Sequence, residues 1–78
     1  MYYKTSDNSY KQIINFGKDD NTGVYYTEEI DVRDDGRRVG TDSVRVYHLF
    51  EKETSKHIRV REIPANWNEN YTRINSLF

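Results

Sequence analysis

Three runs of the chain alternate with a period of two, and nothing else in the sequence constrains the fold so tightly. In residues 23–33, GVYYTEEIDVR, the positions Val24, Tyr26, Glu28, Ile30 and Val32 share one parity. In residues 43–51, SVRVYHLFE, they are Val44, Val46, His48 and Phe50. In residues 57–63, HIRVREI, they are Ile58, Val60 and Glu62. The opposite parity carries Tyr25, Thr27, Glu29, Asp31, Arg33, then Arg45, Tyr47, Leu49, then His57, Arg59, Arg61, Ile63. Successive side chains of a strand point to opposite faces, so these runs predict an antiparallel sheet with one mostly apolar and one mostly polar face.

Turn-forming residues separate the runs: GKDDNTG before the first, DDGRRVGTD before the second, ETS before the third. Short connections make neighbours pair as hairpins. Keeping the apolar parities together pairs Val32 with Val44, Ile30 with Val46, Glu28 with His48 and Asp31 with Arg45. A three-residue loop in the last hairpin pairs Phe50 with Ile58, His48 with Val60 and Tyr47 with Arg61.

The segment SYKQIINFG reads as a strand, in which Tyr10, Ile14 and Phe16 alternate. Its helical alternative would be capped by Asp7 and stopped by Gly17. MYYK is a candidate edge strand. After Pro64 the spacing of Trp67, Tyr71, Ile74 and Phe78 is helical, with Asn66 and Glu69 placed as a capping box. The expected fold is therefore α+β, mostly β: one domain over 1–78, a four-stranded antiparallel meander with a short C-terminal helix packed on one face.

The chain has 78 residues, a net charge of −1 and no cysteine. The charge argues against a strongly basic nucleic-acid binder and against an acidic mimic of DNA. The missing thiols exclude a disulfide framework and a thiolate zinc site and point to a reducing cytoplasm. The start has no apolar signal core, and no stretch reaches the length of a membrane span.

Four constellations invite a chemical reading. The stretch DVRDDGRRVGTD resembles a calcium loop only at Asp35 and Gly36, because Arg33 stands where a ligand is needed. Arg37 and Arg38 beside Gly36 and Gly40 suggest a phosphate grip, which Asp34 and Asp35 oppose; a solvated hairpin tip suitable for partner contact is the simpler account. Glu28 and His48, opposite each other in the expected register, would form a structural ion pair or a general base with its orienting partner. His48 and His57 fall on opposite faces by parity, against a shared metal. Tyr25, Arg45, Tyr47, Arg59 and Arg61 fall together on the polar face, an Arg/Tyr surface fit for a protein or a single strand of nucleic acid.

No catalytic residue, metal site or cofactor is expected. The small, cysteine-free, Asn-, Asp- and Tyr-rich chain is similar in general character to accessory proteins of bacteriophages and mobile elements. An aromatic-rich surface without a catalytic constellation favours a non-enzymatic protein-binding module, and the resemblance implies one that binds and inhibits a host protein, including defence proteins. The binding residues expected are Tyr25, Arg37, Arg38, Arg45, Tyr47, Arg59 and Arg61. A single-stranded nucleic-acid binder using the Arg/Tyr face is the alternative, and a homodimer is compatible with either, since an open sheet has edges to protect.

Overall fold

The computed structural model describes residues 2–75. The chain is mostly β: a curled antiparallel sheet with one short helix. Strands β1 (Tyr2–Lys4), β2 (Tyr10–Lys18), β3 (Tyr25–Val32), β4 (Val44–Glu51) and β5 (His57–Val60) lie in chain order across it. Helix α1 (Trp67–Asn70) follows, and strand β6 (Tyr71–Arg73) then pairs with β4. The three alternating runs are β3, β4 and β5. The segment around Ile13 is a strand rather than a helix, and the N-terminal tyrosines form the edge strand β1.

The hairpin tips share one device. Each reversal holds a residue with positive φ: Asn8 at 66°, Gly23 at 74°, Gly36 at 85° and Ser55 at 59°. A left-handed residue at that place reverses the chain while keeping the strand twist. Asp19 supports the second loop, accepting hydrogen bonds from the Thr22 backbone at 3.0 Å and its hydroxyl at 2.9 Å.

The observed registers differ from the expected ones by odd numbers of residues, which moves side chains to the other face. In the β3–β4 connection the tip folds as a small hairpin of its own. The Arg33 amide donates to the Arg37 carbonyl at 2.7 Å, and Val32 bridges to Arg38. Residues 39–43 then loop out before β4 begins. As a result Glu29 pairs with Val44, Thr27 with Val46 and Glu28 with Arg45. The β4–β5 turn closes with the Glu51 amide on the Lys56 carbonyl at 2.9 Å, so its loop spans 52–55, one residue more than ETS. Tyr47 therefore pairs with Val60, His48 with Arg59 and Phe50 with His57.

These shifts replace the expected apolar and polar faces. The Glu29 face carries Tyr3, Thr27, Glu29, Val44, Val46, His48, His57 and Arg59; the Ile30 face carries Tyr26, Glu28, Ile30, Val32, Arg45, Tyr47 and Leu49. Both contain buried residues. Val24, Ile30, Val32, Leu49 and Ile74 form the apolar core, while Thr27, Glu29 and His48 are buried polar residues.

The expected C-terminal helix is corrected to a single turn, none of whose residues is fully buried. Asn66 makes no side-chain cap; its amide instead donates to the Glu69 carboxylate at 3.2 Å. Asn and Thr are poor helix formers, and Tyr71 is already extended, at φ −132° and ψ 156°. The sheet ladder of β6 thus replaces the rest of the helix. Phe78, the last residue of the expected stripe, lies outside the described residues.

Candidate functional site

Two constellations stand out, one on each face. On the Glu29 face a continuous hydrogen-bond chain runs through four strands. Arg59 on β5 donates from one guanidinium nitrogen to both oxygens of Glu29 on β3, at 2.6 and 2.5 Å, and to the Tyr3 hydroxyl on β1. Tyr3 in turn donates to Glu29. The Thr27 hydroxyl lies 2.5 Å from Glu29 Oε2 and 2.8 Å from His48 Nε2. His48 Nδ1 lies 3.0 Å from His57 Nε2.

Proton positions follow by elimination. Burial pushes the Glu29 carboxyl up, but hydrogen bonds from Thr27, Tyr3 and Arg59 outweigh it and hold the group below its ordinary value. Glu29 is thus a carboxylate and can only accept, so the one Thr27 hydroxyl proton goes to it. The Thr27 oxygen must then accept from His48 Nε2–H. Burial, then the neighbouring His57 and Arg59, lower the His48 pKa to about 4, so the ring is neutral and its Nδ1 is an acceptor. His57 fills that role by donating from Nε2.

The order Thr27–His48–His57 has the spacing of a nucleophile, its base and an orienting group, but the proton direction is reversed. A base must take a proton at Nε2, and here Nε2 gives one. Thr27 is also buried, only 1% exposed. What the arrangement does is join β1, β3, β4 and β5 through satisfied polar groups. Burial, then the bond to Glu29, raises the Tyr3 phenol to about 12, which keeps it a donor at any ordinary pH. Above the cluster the face opens as a groove of about 280 Å³, lined by Tyr3, Lys11, Val44, Val46, Arg59 and Arg61 among others.

On the Ile30 face the Arg45 guanidinium lies 3.9 Å from the centre of the Tyr26 ring, and Tyr26 meets Tyr47 edge to face with centroids 6.0 Å apart. Glu28 lies 3.6 Å from Arg45 and accepts from the Asn15 amide at 2.8 Å. Gly17 makes this packing possible. A Cβ there would lie 2.5 Å from the Tyr26 hydroxyl and 2.7 Å from its ring carbon, so only glycine lets the ring lie across β2.

The expected Arg/Tyr surface is therefore divided. Arg45 and Tyr47 lie together on the Ile30 face, while Arg59 and Arg61 lie on the other. Tyr25 is also on the Glu29 face, with the Lys18 ammonium 5.1 Å from its ring centre. Arg37 and Arg38 stay at the β3–β4 tip, Arg37 at 3.6 Å from Asp35 and Arg38 reaching Gln12 at 3.4 Å. The expected Glu28–His48 pair does not form, because the two lie on opposite faces; and His48 and His57, expected apart, are hydrogen-bonded. Among the described residues no group of three or more His, Asp or Glu is placed to hold a metal ion, and no helix is long and apolar enough to cross a membrane.

Sequence reasoning missed Tyr3, Thr27, Glu29 and the platform of Tyr26 on Gly17. A four-residue loop at 52–55 would have put the two histidines on one face, and an isolated glycine within the strand pattern of β2 is the kind of signal that marks a close approach.

No protein-family model matches the chain, and no curated protein and no solved structure matches it.

Proposed function

We propose that the chain is a non-enzymatic protein-binding module whose contact surface is centred on Arg45, Tyr26 and Tyr47. The observation that carries this reading is their mutual stacking, at 3.9 Å and 6.0 Å, on the bare backbone of Gly17. Tyrosine and arginine supply a large share of binding energy at protein interfaces, and side chains already held in place lose little freedom on docking. Arg45 remains exposed at the top of the stack. The similarity in size and composition to phage and mobile-element accessory proteins gives the proposal its biological form: the module binds and blocks a host protein, such as a defence component.

The same geometry gives less support to a single-stranded nucleic-acid binder. That function needs a continuous cationic track with stacking aromatics. Arg45 and Arg59, the two arginines nearest tyrosines, face Glu28 and Glu29 and lie on different faces.

A photo-crosslinking amino acid in place of Tyr47 tests the reading in cells that hold the natural partner. The expected result is one dominant protein adduct, lost when Arg45→Ala is added. Nucleic-acid adducts, or no adduct above that from a crosslinker at Lys56, would contradict it.

A further inference from the structure

We propose that His48 and His57 form a bidentate site for a divalent transition-metal ion of the copper and zinc class, held between His48 Nδ1 and His57 Nε2. The pair lies on the Glu29 face, apart from Arg45, Tyr26 and Tyr47, so this site and the proposed contact surface stand or fall separately.

The spacing of the two nitrogens is that of two ligands on one ion. His48 on β4 pairs with Arg59, and His57 on β5 pairs with Phe50, so the histidines are diagonal neighbours across one ladder. His48 Nδ1 and His57 Nε2 lie 3.0 Å apart. With metal–nitrogen bonds of about 2.05 Å, two ligand nitrogens stand about 2.9 Å apart at adjacent corners of a square-planar site and about 3.4 Å apart in a tetrahedral one. An ion therefore enters with little change in spacing. What changes is the aim of the rings, which point at each other in the hydrogen bond. His57 is exposed, and its turning lets the two lone pairs converge on one point.

The support that a metal-bound imidazole needs is already in place. Glu29 takes the Thr27 proton and Thr27 takes the His48 Nε2 proton, which leaves His48 Nδ1 bare. A metal-bound histidine almost always donates its other ring N–H in this way, and the donation fixes its tautomer and raises its basicity. A ligand histidine must also be neutral, and burial keeps both rings so at neutral pH. His57 Nδ1 has no hydrogen-bond partner among the described residues. The His57 proton moves there from Nε2 when the ion binds, and no proton is released.

Arg59 is the cation facing the pair, and it opposes a dication. Its charge is matched by Glu29, 2.5 Å away. The expected register places the histidines on opposite faces, against a shared ion; the longer β4–β5 turn removes that objection. Two protein ligands leave the remaining positions to water, so the site binds more weakly than a four-ligand structural zinc site. Without an ion the pair keeps its hydrogen bond.

Calorimetric titration of the full chain with Cu²⁺ and with Zn²⁺ at neutral pH, joined to ring ¹⁵N spectra in Zn²⁺, tests this. The expected result is one ion per chain, with Cu²⁺ held more tightly than Zn²⁺. Zn²⁺ should shift His48 Nδ1 and His57 Nε2 together. His57→Ala, at an exposed position, should weaken binding by about tenfold or more, the loss of one of two ligands, with the circular dichroism unchanged. No saturable binding at millimolar ion, binding that ignores His57→Ala, or a ¹⁵N shift confined to His57 would overturn the proposal.

Discussion

Tyr3 and Arg59, 56 residues apart in sequence, are hydrogen-bonded to each other over the carboxylate of Glu29. In strand order β1 and β5 are the two ends of the main path, four steps apart, about 19 Å in a flat sheet. The curl of the sheet and the length of the two side chains close that span. Glu29, 4% exposed, is the anion on which both converge.

The first prediction concerns this anion. Arg59→Ala leaves Glu29 buried without its counter-charge and should cost about 2 kcal/mol, at the low end for a buried pair because Arg59 keeps some contact with water. Glu29→Gln should cost less, since the amide can still accept from Thr27 or Tyr3. Urea unfolding of the two variants checks the order; an Arg59→Ala variant as stable as the parent would show that the pair holds nothing together.

Acid should weaken the fold in a defined window. The folded His48 pKa, about 4, lies below its ordinary 6.5, so the unfolded chain binds more protons between these values. Stability then rises with pH across that interval and is lost as pH falls through it, by on the order of 2 kcal/mol. The groups facing the ring are Thr27, Glu29, His57 and Arg59. His57, also lowered by burial and by Arg59, contributes with the same sign, and Glu29, held below its ordinary value, adds to the loss at lower pH. Unfolding midpoints measured from pH 4 to 7 should climb, and His48→Gln should flatten the climb while lowering stability at pH 7.

Much of the architecture was legible. The strands of the first two alternating runs begin and end close to where the alternation does, the third stops at Val60 although its alternation continues to Ile63, and β2 follows from its apolar run. What could not be read was register. A tip that folds as a hairpin of its own and a turn one residue longer than ETS each shift a ladder by an odd count, and every odd shift exchanges the faces. That one ambiguity separated Glu28 from His48, brought His48 to His57 and divided the Arg/Tyr surface. The helix failed for another reason: spacing alone suggested it, while Asn66, Asn68, Asn70 and Thr72 favour other backbone states and the β4 edge offered a ladder.

Gly17→Ala should move the Tyr26 ring and so loosen the platform under Arg45. A stability loss of about 1–2 kcal/mol is expected from the overlap. A chemical-shift change spreading from Tyr26 to Tyr47 in NMR spectra would locate the effect; an alanine variant with unchanged Tyr26 resonances would contradict the packing.

Two turn positions should respond in opposite directions. Gly36→Ala, at φ 85°, should cost about 1 kcal/mol, because an L side chain is strained there. Ser55→Gly, at φ 59°, should gain about 0.5 kcal/mol by relieving that strain, less the extra freedom glycine has when unfolded. Thermal melts of the pair provide the check.

The tautomer of His48, read from the ¹⁵N shifts and long-range couplings of its ring at neutral pH, tests most directly whether the Thr27–His48–His57 chain is a fastening or a catalytic relay. The account predicts a neutral ring protonated at Nε2 and bare at Nδ1, giving its proton to Thr27. A ring protonated at Nδ1, with a bare Nε2 aimed at the Thr27 hydroxyl, would contradict it and make His48 a base.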